Sequence, residues 1–448
     1  MEIVRVKFGG FSNVENVELD FNKINTLVAL NNYGKSNIIK GIQFGIDFIK
    51  NQSKTKAKMM AFKPFIPYNK NIDDRPFKFE IEISESSKFS IIYSYSFDWI
   101  KNDKEKGKRI LEESLKVKDL NIDLKYSTFI KRGLNKATYL PSKTGRCDRE
   151  IKIDKDELVI NKLESFDDLF YYPLIKVINE LTIASVDTLQ NPDDLFKKIR
   201  IQNNENLIVK NDYSLSMNEA ANSAYFIYGL SKKKPQYFEL FKDAVMTLLP
   251  SLEDFEPVEI DLKEKFSFNN DDEKLKLPLD FPEKIYDIRV KEKNNNQQTS
   301  ITSLSSGSQK IFYVVSVAIA AEINKVPLIT YEELENSIHP GLLQKLLIIL
   351  DNLLEHSKIL LSSHSPYLIQ YLDFSNIKIG TPNEKGLAIF KQLRKTKFNK
   401  LLLLAEDENI SVGEMHLSGL KYAQSYGIKD CYQFNLLDSP FENEFDVR

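Results

Sequence analysis

Eight consecutive residues near the start of the chain have the chemistry of a phosphate-binding loop. Ala29-Leu30-Asn31-Asn32-Tyr33-Gly34-Lys35-Ser36 follows the pattern G-x-x-x-x-G-K-[ST] at every defining position but the first, where Ala29 stands for glycine. In such a loop the backbone N–H groups and the N-terminus of the next helix hold phosphate oxygens. Lys35 is placed to neutralise the β- and γ-phosphates of a nucleoside triphosphate, and the Ser36 hydroxyl to ligate Mg²⁺. Ala29 need only take a backbone angle open to an L-residue, so its replacement of glycine disturbs this chemistry less than loss of Lys35 would.

Three further segments lie toward the other end of the chain. Leu304-Ser305-Ser306-Gly307-Ser308-Gln309-Lys310 opens a long apolar run, IFYVVSVAIAA. A Ser/Gly-rich helix start offers free N–H groups, a positive dipole end and hydroxyls to an anion. In VPLITYEELENSIHP, Val326–Pro340, an apolar strand ends in two adjacent carboxylates, Glu332 and Glu333. Glu332 is positioned to serve Mg²⁺ and its waters, and Glu333 to polarise a water beside a terminal phosphate. In ILLSSHSP, Ile359–Pro366, a second apolar strand ends at His364, whose imidazole can hydrogen-bond a γ-phosphate. Each of these three is commonplace alone; their succession, with the phosphate loop far upstream, is what signifies.

The elements that must carry these residues are legible in the spacing. The opening alternates, with Ile3, Arg5 and Lys7 on one face and Glu2, Val4, Val6 and Phe8 on the other, which predicts a strand. VENVELDF (14–21) predicts a second strand, and INTLVAL (24–30) a third that is apolar on both faces. Ile38, Ile39, Ile42, Ile46 and Ile49 then recur at helical spacing. FKFEIEI and FSIIYSYSF predict paired strands between Lys-rich loops at 51–75 and 101–118, and helices are expected over 168–185 and 214–250. From Ser305 the order helix, strand, helix (339–355), strand (358–362), helix (366–371), strand (375–379) implies a parallel α/β layer. No heptads persist over several turns, so no long coiled-coil arm is expected.

Composition narrows the function classes. The 448 residues carry 62 Lys+Arg against 64 Asp+Glu, which excludes a uniformly basic nucleic-acid binder but not a local basic patch. The Lys-rich stretches read as solvated loops that leave contact with nucleic acid or a partner open. Cys147 and Cys431 lie far apart, and His339, His356, His364 and His416 form no zinc pattern, so a metal site built on His and Cys is not expected. A reduced, cytoplasmic protein is the simplest reading, with neither a membrane-spanning run nor a secretory signal in view.

Taken together, the four segments resemble the ABC-type ATPase heads of the RecF, Rad50 and SMC group, and within it the AAA-15/AAA-21 ATPases that include the OLD nucleases and phage-defence ATPases. KFGGFSNVENVELDF resembles that group's entry strands, ALNNYGKSN its "GxNGxGKSN", LSSGSQK its signature, EELENSIHP its "DEPExxLHP" and SSHSP its switch histidine. The resemblance covers about residues 1–50 and 285–380. It implies an α/β ABC-ATPase head, a mixed sheet plus a parallel P-loop core. The residues it does not cover are expected to form an inserted β-rich and helical lobe over 51–284 and a C-terminal extension over 381–448, a candidate partner-binding segment. The ATP-binding set it implies is Asn31, Asn32, Gly34, Lys35, Ser36, Asn37, Ser305, Gly307 and Ser308, with Ser36 and Glu332 on Mg²⁺ and Glu333 and His364 catalytic. The family's glutamine loop is not identified; Gln190 is a candidate, with an exposed loop glutamine as the other reading. Glu332, in place of the usual aspartate, and Ala29 are departures from the pattern.

The resemblance also implies a homodimer, or higher homo-oligomer, in which ATP is sandwiched head to tail and Ser305, Gly307 and Ser308 reach a neighbour's γ-phosphate. LLLLAEDE, ending near Glu406, resembles the first strand of a TOPRIM nuclease domain, but no D-x-D follows it, so an intact nuclease is not expected. A separate effector nuclease, as in two-gene phage-defence systems such as Septu and PARIS, would supply that chemistry. The alternatives left open are a nucleotide-binding scaffold that hydrolyses little ATP and a RecF-like repair ATPase.

Overall fold

The computed structural model describes residues 1–29, 33–101, 109–187, 223–261, 284–365, 368, 371–382, 385–392 and 403. It divides into two compact units. The first comprises 1–183, 325–330 and 356–448, the second 184–324 and 331–355. The phosphate-loop helix and His364 fall in the first; the signature helix and both acidic residues fall in the second.

The first unit begins with β1 (Glu2–Phe11), β2 (Val14–Asp20), β3 (Ile24–Val28), α1 (Lys35–Lys50) and α2 (Ser53–Met60). Then come β4 (Phe77–Glu85), β5 (Phe89–Asp98), β6 (Arg109–Asp119), β7 (Ser127–Arg132), β8 (Ala137–Tyr139) and β9 (Arg149–Glu150). These strands, β3 excepted, form one antiparallel sheet in the order β2-β1-β4-β5-β6-β7-β8-β9. The paired strands expected at FKFEIEI and FSIIYSYSF are β4 and β5, with Ile81 opposite Tyr93.

Two sequence expectations in this sheet need correction. Ile3 is buried together with Val6 and Phe8, because an irregularity in the β1–β4 register between Ile3 and Arg5 shifts the alternation by one. The stretch 101–118 is not all loop, since β6 occupies Arg109–Asp119. Its alternation is disguised by Glu113, a carboxylate only 1% exposed that takes an inward position beside Ile110, Leu115 and Val117. Glu113 accepts from the backbone N–H groups of Val159 (2.6 Å) and Ile160 (2.9 Å) and from the Tyr93 hydroxyl (2.9 Å). Those bonds offset the cost of burying the carboxylate, although burial still raises its pKa.

Helix α1 lies on this sheet through small residues. A Cβ at Gly41 would stand 2.3 Å from Phe8 Cε2, and one at Gly45 would stand 2.1 Å from Phe79 Cδ2. Gly41 and Gly45 are one turn apart on the same helix face, and their lack of side chains lets the backbone approach the sheet closely. Tyr95 donates to the Gly45 carbonyl at 2.7 Å, and Phe48 stacks on Phe97 (4.7 Å) and Tyr95 (5.1 Å). Trp99 Nε1 donates to the Gly10 carbonyl at 2.7 Å, closing an aromatic core around Phe11, Phe44 and Phe77.

The rest of the first unit includes α3 (Val159–Leu163) and α4 (Tyr172–Asn179), after which β10 (Ile183–Asp187) carries the chain into the second unit. The helix expected over 168–185 therefore stops at Asn179, and its β-branched end is a strand. In the second unit α5 (Ser223–Lys233) and α6 (Pro235–Leu248) are separate helices, because Pro235 starts a new one. They pack with β11 (Leu252–Asp261), β12 (Lys284–Glu292) and β13 (Thr299–Ser300), an antiparallel three-stranded sheet, around Phe241, Phe255 and Phe312. Helix α7 (Ser306–Ile323) is buried almost all round, as its apolar run requires. β14 (Leu328–Glu332) passes from the first unit to the second between Thr330 and Tyr331, and α8 (Pro340–Leu353) follows it.

β15 (Lys358–Ser363), β16 (Ile377–Pro382) and β17 (Ala388–Gln392) return to the first unit. There β3 lies between β15 and β16, parallel to both, and β17 closes the edge antiparallel to β16. The architecture is therefore α/β, an antiparallel sheet together with a mixed sheet whose core is parallel, and among the described residues there is no long coiled coil. No helix among them is long and apolar enough to cross a membrane.

Candidate nucleotide site

In the parallel core of the first unit, β3 and β15 are in register, Val28 opposite Ser363. The backbone N–H of Ala29 continues the ladder to the Ser363 carbonyl at 3.3 Å. The loop after β3 and the His364 segment after β15 therefore leave the same C-terminal edge of adjacent parallel strands. This is the edge at which open α/β sheets bind ligands.

Ala29 is fully buried and is not among the residues of positive φ. A Cβ at Gly380, on neighbouring β16, would lie 2.9 Å from the Ala29 Cβ, so the methyl group is accommodated against a glycine. Gly34 does need to be glycine. It caps α1 with φ 88°, and a Cβ there would meet the Ala388 Cβ at 2.6 Å. Lys35 and Ser36 begin α1, whose first turn holds no acidic side chain at the positive end of the helix dipole. Lys35 is buried and its Nζ donates to the Ala29 carbonyl at 2.6 Å. Asn37 donates to Asn13 Oδ1 at 2.8 Å, tying the helix start to the β1–β2 turn. His364 is half-buried, and the Ser365 N–H bonds Ser363 Oγ at 2.9 Å just beyond it. Asn31, Asn32, Gln190 and Glu406 lie outside the described residues, as does most of the expected 366–371 helix.

The second unit holds the remaining candidates. Ser305 caps α7, and its Oγ accepts from the Ser308 N–H (3.2 Å) and lies 2.9 Å from the Ser308 hydroxyl. A Cβ on Gly307 would stand 2.4 Å from the Ser337 carbonyl oxygen, so the first turn of α7 presses on the turn that follows β14. That turn is unusual. Glu333 has φ 52° and Ser337 φ 65°, left-handed values that L-residues seldom take. Glu332 and Glu333 are both half-buried.

One side chain that sequence reasoning left without a role organises this turn. Lys310, 2% exposed, donates through Nζ to the carbonyl oxygens of Glu333 (3.1 Å) and Asn336 (2.7 Å). Asn336 Nδ2 in turn donates to Glu333 Oε2 at 2.7 Å. Burial pushes the Lys310 ammonium down to about 8, against the raising pull of the Glu335 and Glu333 carboxylates. The signal available in the sequence was a lone cation one turn into an otherwise apolar helix.

Residues 172–370, somewhat under half of the chain, match the family model described as "AAA domain, putative AbiEii toxin, Type IV TA system". The matched stretch contains the α7 signature, the acidic pair and His364, and the match supports an ATP-binding domain of the AAA type. No functionally curated protein matches the chain. Among solved structures, an Smc head bound to the C-winged helix domain of ScpA aligns at 12% identity and TM-score 0.46, covering 89% of this chain and 100% of its own. The SMC head domain from Thermotoga maritima aligns at 11% identity and TM-score 0.42, covering 88% and 100%. A Smc head with an extended coiled coil, bound to the C-terminal domain of ScpA from Pyrococcus furiosus, aligns at 12% and 0.40, covering 90% and 99%.

Proposed function

We propose that the chain is an ABC-type ATPase that assembles head to tail around ATP and couples its nucleotide state to a separate effector, a nuclease, in antiviral defence. The observation that supports it best is the shared edge in the first unit. There Gly34-Lys35-Ser36 and His364 follow neighbouring parallel strands, with a glycine cap, a buried lysine and no acidic side chain in the first turn of the helix. In this reading Lys35 and the α1 N–H groups bind the β- and γ-phosphates, and His364 hydrogen-bonds the γ-phosphate. In the second unit Glu333 accepts a proton from the attacking water, and Ser305, Gly307 and Ser308 address the nucleotide of a neighbouring copy. Ser36, in the first unit, and Glu332, in the second, each carry an oxygen donor of the kind Mg²⁺ prefers, and Mg²⁺ would neutralise phosphate charge. The effector part of the proposal rests on the resemblance to two-gene defence ATPases.

The test is ATP binding, turnover and light scattering on the parent, Lys35→Ala and Glu333→Gln proteins. Lys35→Ala should lose measurable ATP binding, at a cost of roughly 2–5 kcal/mol for removing one partner of a buried charge pair. Glu333→Gln should bind ATP, accumulate as the ATP-bound assembly and keep only a small residual turnover. Parent affinity in Lys35→Ala would remove the phosphate-loop assignment. A parent protein that binds and assembles without turnover would favour the scaffold alternative, to which the Glu332 and Ala29 departures point.

A further inference from the structure

We propose that Lys310 and Asn336 are positioning residues for Glu333, so that the signature helix itself sets where the proposed base stands. The inference rests on the reading of Glu333 as that base. Its ground is a backbone conformation that needs explaining. Glu333 holds φ 52°, and a side-chain-bearing residue persists in the left-handed region only where its surroundings over-determine it.

Several bonds hold it there. The Glu333 carbonyl accepts from Lys310 Nζ (3.1 Å) and from the Asn336 N–H (3.1 Å). The Asn336 carbonyl accepts the second Lys310 bond at 2.7 Å, and the Asn336 amide holds Glu333 Oε2 at 2.7 Å. Lys310 therefore fixes the backbone at both ends of the turn 333–336, and Asn336 fixes the carboxylate. Both act within the second unit and neither is placed to touch a phosphate by this argument.

The choice of lysine follows from its chemistry. A buried ammonium is costly unless its donors are satisfied, and it carries three donors and no acceptor. Two of them reach the carbonyl oxygens of Glu333 and Asn336. The Ser305–Ser308 cap and Lys310 lie on the same helix about one turn apart, so one rigid element joins the cap to the Glu333 turn. Gly307 makes a second contact along the same line, against the Ser337 carbonyl.

The experiment measures kcat and, separately, ATP affinity by calorimetry on the full chain. Its variants are Lys310→Met, which keeps the stem and removes the donors, Lys310→Arg and Asn336→Ala. Misplacing a catalytic group by about an ångström costs on the order of a hundredfold, so kcat should fall about 10- to 100-fold in Lys310→Met and about tenfold in Asn336→Ala. ATP affinity should stay within about threefold, and Lys310→Arg should recover part of the loss. Combined with Glu333→Gln, neither change should lower residual turnover further, because residues that act as a unit are not additive.

Parent kcat in Lys310→Met, or a further tenfold loss in the Glu333→Gln background, overturns the proposal. If Lys310→Met does not fold, Asn336→Ala decides, since that residue is half-buried in a turn. The two levels separate cleanly. Parent turnover in Glu333→Gln removes the base itself, whereas an inactive Glu333→Gln beside a parent-like Lys310→Met removes only the positioning role.

Discussion

The Lys35 ammonium lies 2.6 Å from the carbonyl oxygen of Ala29, six residues upstream, so the cation of the phosphate loop is folded back onto the end of its own strand. This contact spans the loop and directs the charge inward, over the C-terminal edge of β3. The residue that makes the span possible is Gly34, with its left-handed backbone and its close approach to Ala388.

Gly34→Ala should therefore weaken ATP binding by more than about tenfold while leaving Lys35 and Ser36 in place. An L-residue in the left-handed region costs roughly 1–2 kcal/mol, and the contact with Ala388 adds overpacking. Calorimetric titration with ATP measures it, and an affinity equal to that of the parent would mean that the cap conformation is not needed.

Gly45→Ala should lower the unfolding free energy by about 1–3 kcal/mol for overpacking against Phe79, less the roughly 1 kcal/mol that alanine gains over glycine inside a helix. Gly133→Ala is the control, because a Cβ there meets nothing within 4 Å. Urea denaturation of the three proteins checks the pair. A Gly45→Ala protein as stable as the parent would show that α1 can lift off the sheet.

Lys56 should make stability climb with pH in the alkaline range. Its ammonium, 1% exposed, donates to the carbonyls of Ile49 and Asn51 and to Asn161 Oδ1, and burial lowers its pKa from 10.5 to about 8. Because the folded value lies below the unfolded one, the unfolded chain binds more protons between about pH 8 and 10.5. Stability from this group therefore rises with pH through that window, by up to ~1.4 kcal/mol per unit. Lys56→Met should flatten the slope measured by urea denaturation at pH 7.5 to 10; an unchanged slope would mean that other groups set it.

The assembly model is better tested at Ser308 than at Gly307. Any side chain on Gly307 strikes the Ser337 carbonyl of its own chain, so a Gly307→Asp defect would not distinguish an inter-subunit role from local damage. Ser308 is the third residue of α7, where a carboxylate favours the helix dipole. Ser308→Asp should thus melt no earlier than the parent and bind ATP, yet fail to assemble on ATP because the new charge opposes a phosphate. Mixing it with Lys35→Ala should regain part of the turnover. Parent assembly by light scattering in Ser308→Asp would sink the head-to-tail arrangement.

The parts of the site that depend on adjacent residues were legible in the sequence. Gly34-Lys35-Ser36 are contiguous at one helix start, and the cap at Ser305 and the acids at Glu332 and Glu333 are equally local. The pairing of β3 with β15 was not legible, since Val28 and Ser363 meet only in the folded sheet. Helices ending at Asn179 or restarting at Pro235 were partly visible as apolar periodicity, but the strand that follows Asn179 and the proline at 235 decided their bounds. Glu113 hid β6 by being a carboxylate in a core position. Lys310 went unread because its partners are backbone carbonyls, which any sequence would present; only the turn geometry makes those two available.

The left-handed backbone at Glu333 has a consequence for how this protein can change over generations. Glycine or asparagine would occupy that conformation with less strain, so the carboxylate is kept against the local preference of the fold. A library randomised at this codon and selected for heat resistance alone should enrich glycine and asparagine, whereas one selected for turnover should return glutamate. Position 333 is thus where durability and activity would be traded against each other.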